Sequence, residues 1–148
     1  MIKKIKGNIF NTSCQVLVNT VNCIGVMGKG IALECKLRFP GMFEKYKEFC
    51  EKKLIKPGSL QLWNSSKPWV LNFPTKMHWK DPSKIEYLEK GLDKFKNEYS
   101  KKNITSIAFP LLGASLGGLS EELVYKTMIK YLEPLNGIDI EIYEYDAN

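Results

Sequence analysis

The chain has 148 residues, of which 44% are hydrophobic, and it carries a formal net charge of +6. This length predicts a single domain, residues 1–148, with a core large enough to fold without disulfides or a structural metal. No apolar run approaches the roughly 20 residues that a membrane-spanning helix needs, which excludes an integral membrane protein of that kind.

The N-terminal residues and the cysteines point to an intracellular protein. The sequence MIKKIKGNIF is basic but lacks the apolar segment of a signal peptide. The cysteines at positions 14, 23, 35 and 50 form no Cys-x-x-Cys pair, so we expect reduced thiols and a cytoplasmic location. His78 is the one histidine, and we therefore predict no metal site and no cofactor.

The first half of the chain alternates strand and helix patterns. Residues 2–6 and 14–20 are apolar enough for two strands, and Gly30 to Phe39 has the pattern of a short helix that Pro40 ends. A second helix is predicted over residues 41–53. The last predicted elements of this half are two short strands, over residues 59–63 and 69–73.

The second half continues the alternation. Ser83-x-x-Glu86 reads as a capping box that opens a helix. Its apolar residues recur at helical spacing and form one stripe: Ile85, Leu88, Leu92, Phe95 and Tyr99. A buried strand is predicted over residues 104–110, a helix begins after Ser120 and ends near Pro134, and an alternating strand covers residues 138–145.

Strands separated by helices predict a three-layer α/β/α fold with a central mixed, largely parallel sheet. In such folds, ligands bind beyond the carboxyl ends of the strands. Two glycine-rich segments each follow a predicted strand and precede a predicted helix. We name them the first glycine loop, residues 22–30, and the second glycine loop, residues 111–120. We expect both loops at the same edge of the sheet.

Glycine loops of this kind suit a diphosphate. Glycine lets the backbone approach a ligand closely, and the start of a helix adds amide donors and the positive end of the helix dipole. A plain turn remains the alternative for either loop taken alone. Neither loop contains the Walker sequence or GxGxxG, so we predict neither a P-loop nor a Rossmann dinucleotide site.

The series of short motifs resembles the macrodomain family, whose members are α/β/α modules that bind ADP-ribose. The motifs are GNIF (7–10), VNTVN (18–22), GVMGKGIA (25–32), PLLG (110–113) and GGL (117–119). Within the family, NTVNC, GVMGKGIA, NFPTK, HW and LGGL are most similar to the DarG type. The resemblance implies an antitoxin that removes ADP-ribose from thymidine bases in DNA. The human terminal ADP-ribose protein glycohydrolase would be a more distant relative in the same branch.

The resemblance also implies which residues contact the ligand. Asn19 and Asn22 would offer side-chain hydrogen bonds to the distal ribose, and the adenine would lie near Asn8. The remaining ligand-binding positions follow from the same motifs, in the first segment and the two loops: Ile9, Gly28, Lys29, Gly30, Ile31, Gly113, Ala114, Ser115, Leu116, Gly117 and Gly118.

Four positions depart from the patterns of relatives. Many macrodomains carry an aspartate at Asn8, where the asparagine oxygen can accept the same hydrogen bond from adenine without a charge. The human relative carries an aspartate at Gly117, so a mechanism that uses that carboxylate is absent here. The loop reads Ala114-Ser115 where the DarG pattern usually has Cys-Gly, which can narrow the phosphate site.

Lys76 is the predicted catalytic residue, because the family's catalytic lysine falls at this position. Apolar and aromatic neighbours can lower the pKa of a lysine by desolvation. The amine can then act as a base, or attack the ring-opened C1″ of the distal ribose as a Schiff-base nucleophile. A protonated amine can instead stabilise charge on the departing base, and the sequence leaves these roles open. Cys23, inside the first loop, is predicted to pack rather than to react.

The residues that follow Lys76 are candidates for contact with nucleic acid. His78, Trp79 and Lys80 place an aromatic ring beside positive charge, as single-stranded DNA grooves do. Ordinary packing of the aromatics beside surface lysines gives the same pattern, so that alternative remains.

Several functions therefore remain in competition. The favoured one is a monomeric hydrolase whose partners are ADP-ribose, ADP-ribosylated single-stranded DNA and a cognate ADP-ribosyltransferase toxin. The alternatives are removal of ADP-ribose from protein carboxylate esters, binding of ADP-ribose without catalysis, and a phosphatase acting on ADP-ribose 1″-phosphate. A binding module needs no lysine at position 76, so Lys76 distinguishes it from an enzyme.

Overall fold

A computed structural model describes residues 1–144, except for the side chain of Ser115. The six strands are β1 Ile2–Lys6, β2 Val16–Val21, β3 Gln61–Trp63, β4 Trp69–Pro74, β5 Ser106–Pro110 and β6 Asp139–Glu144. The four α-helices are α1 Gly30–Arg38, α2 Pro40–Glu51, α3 Ile85–Glu98 and α4 Glu121–Leu132. Short 3-10 turns cover Ile9–Asn11 and Ser115–Gly117. Position 145 of the last predicted strand lies outside the described residues.

The strands form one mixed sheet in the order β1-β6-β5-β2-β4-β3. All neighbouring pairs are parallel except β3 and β4, which are antiparallel. The prediction of a largely parallel sheet is therefore confirmed. Within residues 1–144, no helix has the length and apolar character needed to cross a membrane.

A hydrophobic core lies on each face of the sheet, between the sheet and a pair of helices, so the fold has three layers. Val16 and Val18 of β2 belong to the core that includes the buried residues of α3 and α4. Leu17 and Val21 of the same strand belong to the core that includes the buried residues of α1 and α2. This alternation follows from the period of two along a strand. A strand buried on both faces reads as an apolar run, as β2 does.

Helix α3 corrects one sequence prediction. Ser83 does not cap the helix, which begins at Ile85 with Lys84 as its N-cap residue. The backbone N–H of Ser83 instead donates to the carbonyl of Gly117 at 3.0 Å, and its side chain is buried. The Ser83 hydroxyl has no hydrogen-bond partner among the described residues, so the capping box does not form. The predicted cap of α4 is confirmed, since the Ser120 hydroxyl accepts from the N–H of Leu123.

Candidate functional site

Three segments meet at the carboxyl edge of the sheet. The first glycine loop follows β2, and the second follows β5, which pairs with β2 in parallel. Residues 75–80, which we name the Lys76 segment, follow β4 on the other side of β2. The three segments lie far apart in the sequence. They come to one edge because the strands that they follow pair in parallel.

The first glycine loop is held by the side chain of Asn22. Its Nδ2 donates to the carbonyl of Val26 at 2.8 Å, and its Oδ1 accepts from the N–H of Ile24 at 3.1 Å. The buried Tyr46 hydroxyl, from α2, lies 2.9 Å from the same Oδ1 and 2.8 Å from the Asn22 carbonyl. Burial raises the pKa of Tyr46 far above its ordinary value, so this hydroxyl stays a donor. Asn22 therefore shapes the loop, and its predicted ribose contact stays a prediction.

Asn19 lies in β2, shortly before the first glycine loop, and it is fully buried. Its Nδ2 donates to Oδ1 of Asn72 at 3.0 Å, and Nδ2 of Asn72 donates to Oε1 of Gln61 at 3.1 Å. Its own Oδ1 has no hydrogen-bond partner among the described residues. Asn19 thus takes part in an interior polar network, and its predicted contact with the ribose stays a prediction.

The first turn of α1 presents the predicted backbone contacts. Gly28, Lys29 and Gly30 are exposed and Ile31 is partly exposed. Gly30 begins α1 with a φ of +60°, a value that disfavours side chains. A Cβ added there would lie 3.1 Å from Cδ1 of Leu116, so the two glycine loops touch. The start of this helix supplies unpaired amide N–H groups at the place where the loops meet.

The second glycine loop is compact because it packs against Ser83. A Cβ at Gly117 would meet the Ser83 hydroxyl and lie 3.0 Å from the Ser83 Cβ. At Gly113, which has a φ of +73°, a Cβ would lie 3.1 Å from the Ser83 Cβ. The backbone closes on itself through Leu119 N–H to the Gly113 carbonyl at 3.0 Å. The Ser83 hydroxyl is buried and has no partner among the described residues.

Lys76 connects the two loops. Its Nζ donates to the carbonyl of Leu116 in the second loop at 3.0 Å and lies 3.5 Å from the carbonyl of Trp79. Its own carbonyl accepts from the Cys23 thiol of the first loop at 3.3 Å. The lysine side chain is only partly buried, so the desolvation expected from its apolar neighbours is incomplete. Burial raises the pKa of Cys23 to about 11, which supports its prediction as an unreactive thiol.

The nucleic-acid candidates form a turn beside Lys76. The ring centroids of His78 and Trp79 are 5.4 Å apart, and Lys80 Nζ lies 5.2 Å from the Trp79 ring centroid. His78 Nδ1 accepts from the N–H of Lys80 at 3.1 Å. His78 is partly buried, and Trp79 and Lys80 are exposed. The structure thus brings all three residues to the edge that carries Lys76.

Asn8 and Ile9 follow β1, whose carboxyl end lies at the same edge of the sheet as the glycine loops. Oδ1 of Asn8 accepts from the N–H of Phe10 at 2.9 Å, and Asn8 is exposed. Ile9 is buried in the core on the α1 and α2 side. The asparagine oxygen predicted to bind adenine is thus already fixed in place by the turn it caps.

The structure also has a groove on α2. This groove of about 430 Å³ is lined by residues of α2 and by Trp63, and it holds none of the predicted site residues. Two residues that support the loops could not be identified from the sequence. Ser83 lies 30 residues before Gly113, beside which it packs, and Tyr46 lies 24 residues after Asn22, to which it donates a hydrogen bond. In the sequence they appear only as a cap residue and as one apolar position on a helix. Among residues 1–144, no group of three or more His, Cys, Asp or Glu side chains is placed to hold a metal ion.

Comparisons with known proteins agree with this architecture. The model of the family described as Macro domain matches residues 18–128. The chain is 37% identical to the DNA ADP-ribosyl glycohydrolase of Thermus aquaticus, over 97% of this chain and 41% of that protein. It is 38% identical to the protein of the same name from Mycobacterium tuberculosis, over 97% of this chain and 42% of that protein. The chain therefore spans about two-fifths of the length of these relatives.

Solved structures give the same result at the level of the fold. The macrodomain of Thermus aquaticus DarG matches with a TM-score of 0.92 and 38% identity, over 97% of this chain and 98% of that one. A structure of Thermosipho africanus DarTG in complex with ADP-ribose matches with a TM-score of 0.91 and 36% identity, over 99% of this chain and 42% of that one. With its sheet order, its two glycine loops and these matches, the chain belongs to the macro domain family.

Proposed function

We propose that this macro domain is a DNA ADP-ribosyl glycohydrolase, which binds ADP-ribose and removes it from thymidine bases in single-stranded DNA. The names of its relatives support the reaction class, and the ADP-ribose in the Thermosipho structure supports the ligand. The observation that carries the proposal is the position of Lys76, whose Nζ lies 3.0 Å from the Leu116 carbonyl where the two glycine loops touch.

The loops supply the binding contacts in this proposal. The exposed backbone at Gly28 and Gly30, at the start of α1, offers amide donors to a phosphate. The second loop offers Gly118, which is exposed and around which a Cβ would meet nothing within 4 Å. Backbone amides and a helix N-terminus can bind a diphosphate without a metal ion.

The proposed reaction breaks the bond between C1″ of the distal ribose and the thymine nitrogen. The electron pair of that bond leaves with the base, water supplies the hydroxyl at C1″, and a proton is returned to the base. Both acceptors of the Lys76 amine are backbone carbonyls, which fixes its direction without a carboxylate partner. The amine acts at this bond as a charge stabiliser, as a base, or as a nucleophile, and Lys76→Arg separates charge stabilisation from the other two roles.

A cognate ADP-ribosyltransferase is the proposed partner of this activity. A hydrolase for modified DNA requires an enzyme that attaches the ADP-ribose. One relative, from Thermosipho africanus, is named as a fusion of a DNA ADP-ribosyl transferase with the glycohydrolase. We propose that the present domain reverses the modification made by a transferase of that class.

The test is release of ADP-ribose from two substrates, a single-stranded oligonucleotide modified on thymidine and a protein modified on carboxylates. We expect release from the oligonucleotide alone. Lys76→Ala should slow it at least about a hundredfold, as expected for loss of a positioned proton-transfer group. The affinity of the Lys76→Ala variant for free ADP-ribose should differ by less than about tenfold from that of the unchanged protein, because the proposed phosphate contacts lie in the loops.

Lys126→Ala is the matched control, because this lysine is an exposed residue of α4 whose one ion pair among residues 1–144 is at 3.9 Å, with Glu122. It should leave both measurements unchanged. If Lys76→Arg keeps most activity, the positive charge suffices; if it is as slow as Lys76→Ala, the amine acts as a base or nucleophile, because guanidinium does not deprotonate. Full turnover by Lys76→Ala would contradict the catalytic assignment, and release from the protein alone would contradict the DNA substrate.

A further inference from the structure

Five large apolar side chains on the three segments at this edge of the sheet remain between 40% and 60% exposed. We name them the apolar collar, and its members are Ile24, Val26, Met77, Trp79 and Leu116. They come from the first glycine loop, the Lys76 segment and the second glycine loop. Apolar side chains gathered at one place, rather than scattered singly over a surface, mark a site of interaction.

Backbone contacts hold the three parts of the collar together. The N–H of Cys23 donates to the carbonyl of Met77 at 3.1 Å, which joins the first loop to the Lys76 segment. The Lys76 amine joins that segment to Leu116 of the second loop at 3.0 Å. The collar is therefore a preformed surface, because its members sit on segments that hydrogen-bond to one another.

Trp79 is the one aromatic member, and a turn braces it. The N–H of Asp81 donates to the His78 carbonyl at 3.0 Å, and the N–H of Lys80 donates to the His78 ring. The Trp79 carbonyl lies 3.5 Å from the Lys76 amine. The indole is thus presented beside the proposed catalytic residue by a backbone that is fixed on both sides.

The charge around the collar is positive. The three segments and the residues up to the start of α3 carry Lys29, Lys76, Lys80 and Lys84, against the single acid Asp81. Lys80 Nζ lies 5.2 Å from the Trp79 ring centroid. An exposed aromatic face with lysines beside it fits a ligand that has flat, uncharged rings joined by phosphates.

We propose that the collar holds the unpaired base next to the modified thymidine, with that base stacked on Trp79 and its phosphate beside Lys80. The proposal rests on the proposed function and adds to it a subsite that recognises the DNA strand rather than the ADP-ribose. It makes Trp79 a residue that distinguishes an oligonucleotide from a single modified nucleoside.

The experiment compares two substrates, the ADP-ribosylated thymidine nucleoside and a modified single strand of about ten nucleotides. For the unchanged protein, we expect kcat/KM to be about 5- to 100-fold higher on the strand, the range that stacking of one base provides. Trp79→Ala should remove most of this advantage and leave the nucleoside rate within about twofold. Trp79→Phe, which keeps an aromatic face, should retain part of it.

Tyr131→Ala is the matched control. Tyr131 also has a lysine beside its ring, with Lys130 Nζ 5.7 Å from the centroid, but it lies near the end of α4, far along the helix from the second loop. Its removal should leave the ratio of the two rates unchanged, provided that thermal melting shows a folded protein.

A binding measurement keeps the proposal independent of catalysis. Anisotropy with an unmodified single strand should show affinity that Trp79→Ala weakens about 5- to 100-fold. If the protein hydrolyses neither substrate, the proposed function fails, and this measurement still decides the collar. Equal loss on nucleoside and strand would overturn the proposal in favour of a structural role for Trp79. An unchanged advantage and unchanged strand binding would also overturn it, and would leave a protein partner as the occupant of the collar.

Discussion

The two glycine loops lie at one edge of the sheet, but they are held in place in different ways. The first is held by polar side chains, since Asn22 bonds to Ile24 and Val26 and the buried Tyr46 hydroxyl bonds to Asn22. The second is held by close packing, since Ser83 occupies the space where side chains at Gly113 and Gly117 would lie. The comparison teaches that the first loop should be sensitive to loss of hydrogen bonds and the second to added volume.

The largest expected effect comes from Asn22→Ala in the first loop. Its side chain accepts from two backbone N–H groups and from Tyr46, and donates to Val26. At about 0.5–1.5 kcal/mol for each bond, we expect a loss of about 2–4 kcal/mol in the free energy of unfolding. Denaturant unfolding measures it. Tyr46→Phe removes one donor only and should cost less; equal costs would show that Asn22 does not organise the loop.

Gly117→Ala tests the second loop. The added methyl group would meet the Ser83 side chain, and overpacking of this kind costs about 1–3 kcal/mol. The double variant Ser83→Gly with Gly117→Ala should recover most of that loss, because the obstruction is gone. Unfolding free energies of the two single variants and the double variant give the coupling.

Gly118→Ala is the control for that pair, because a Cβ there meets nothing within 4 Å while the φ is +81°. Its cost, about 1–2 kcal/mol, comes from the backbone conformation, and Ser83→Gly should not relieve it. If the effects of Gly117→Ala and Ser83→Gly simply add, close packing is not what holds the second loop.

The smallest expected effect concerns Cys23. Its thiol donates to the Lys76 carbonyl at 3.3 Å, a weak bond for which Cys23→Ser can substitute and Cys23→Ala cannot. We expect a difference of about 0.5–1 kcal/mol in stability between the two variants. Burial raises the pKa of Cys23 from the ordinary thiol value of 9.0 to about 11. Its thiolate fraction at pH 8 is therefore roughly a hundredfold below that of an unburied thiol. Alkylation followed by mass spectrometry should show the rate rising with pH up to that value; rapid labelling at pH 8 would contradict it.

The sequence was a good guide to the elements and a partial guide to the site. Apolar periodicity located every strand and helix, and the rule for parallel sheets placed both glycine loops at one edge. The predicted capping role of Ser83 is wrong, because the capping box is a local pattern. The carbonyl that accepts from the Ser83 N–H belongs to Gly117, which is distant in the sequence. The sequence did not show that Asn19 joins the polar network with Asn72 and Gln61, because a motif does not reveal the tertiary partners of its residues.

The residue that supports the first loop could not be predicted from the sequence, for a similar reason. Tyr46 fits the apolar stripe of α2, and nothing in that stripe shows that its hydroxyl reaches back 24 residues to Asn22. The partial exposure of Lys76 also could not be read from its neighbours, since Met77 and Trp79 point to solvent rather than covering it. Patterns thus find the segments of a site, and tertiary packing decides what each side chain contacts.

The parallel pairing of β1 with β6 fixes how the protein should be attached to a support. The ammonium group of Met1 lies 3.1 Å from the Ile138 carbonyl, before β6 begins, whereas Glu144 at the end of β6 accepts from the N–H of Gly7, beside Asn8. A tether at residue 1 therefore leaves from the edge opposite the glycine loops and keeps them facing the solution. A tether joined after β6 leaves from the edge of the loops, so a sensor chip or affinity resin coupled there would lie on the side of the proposed site.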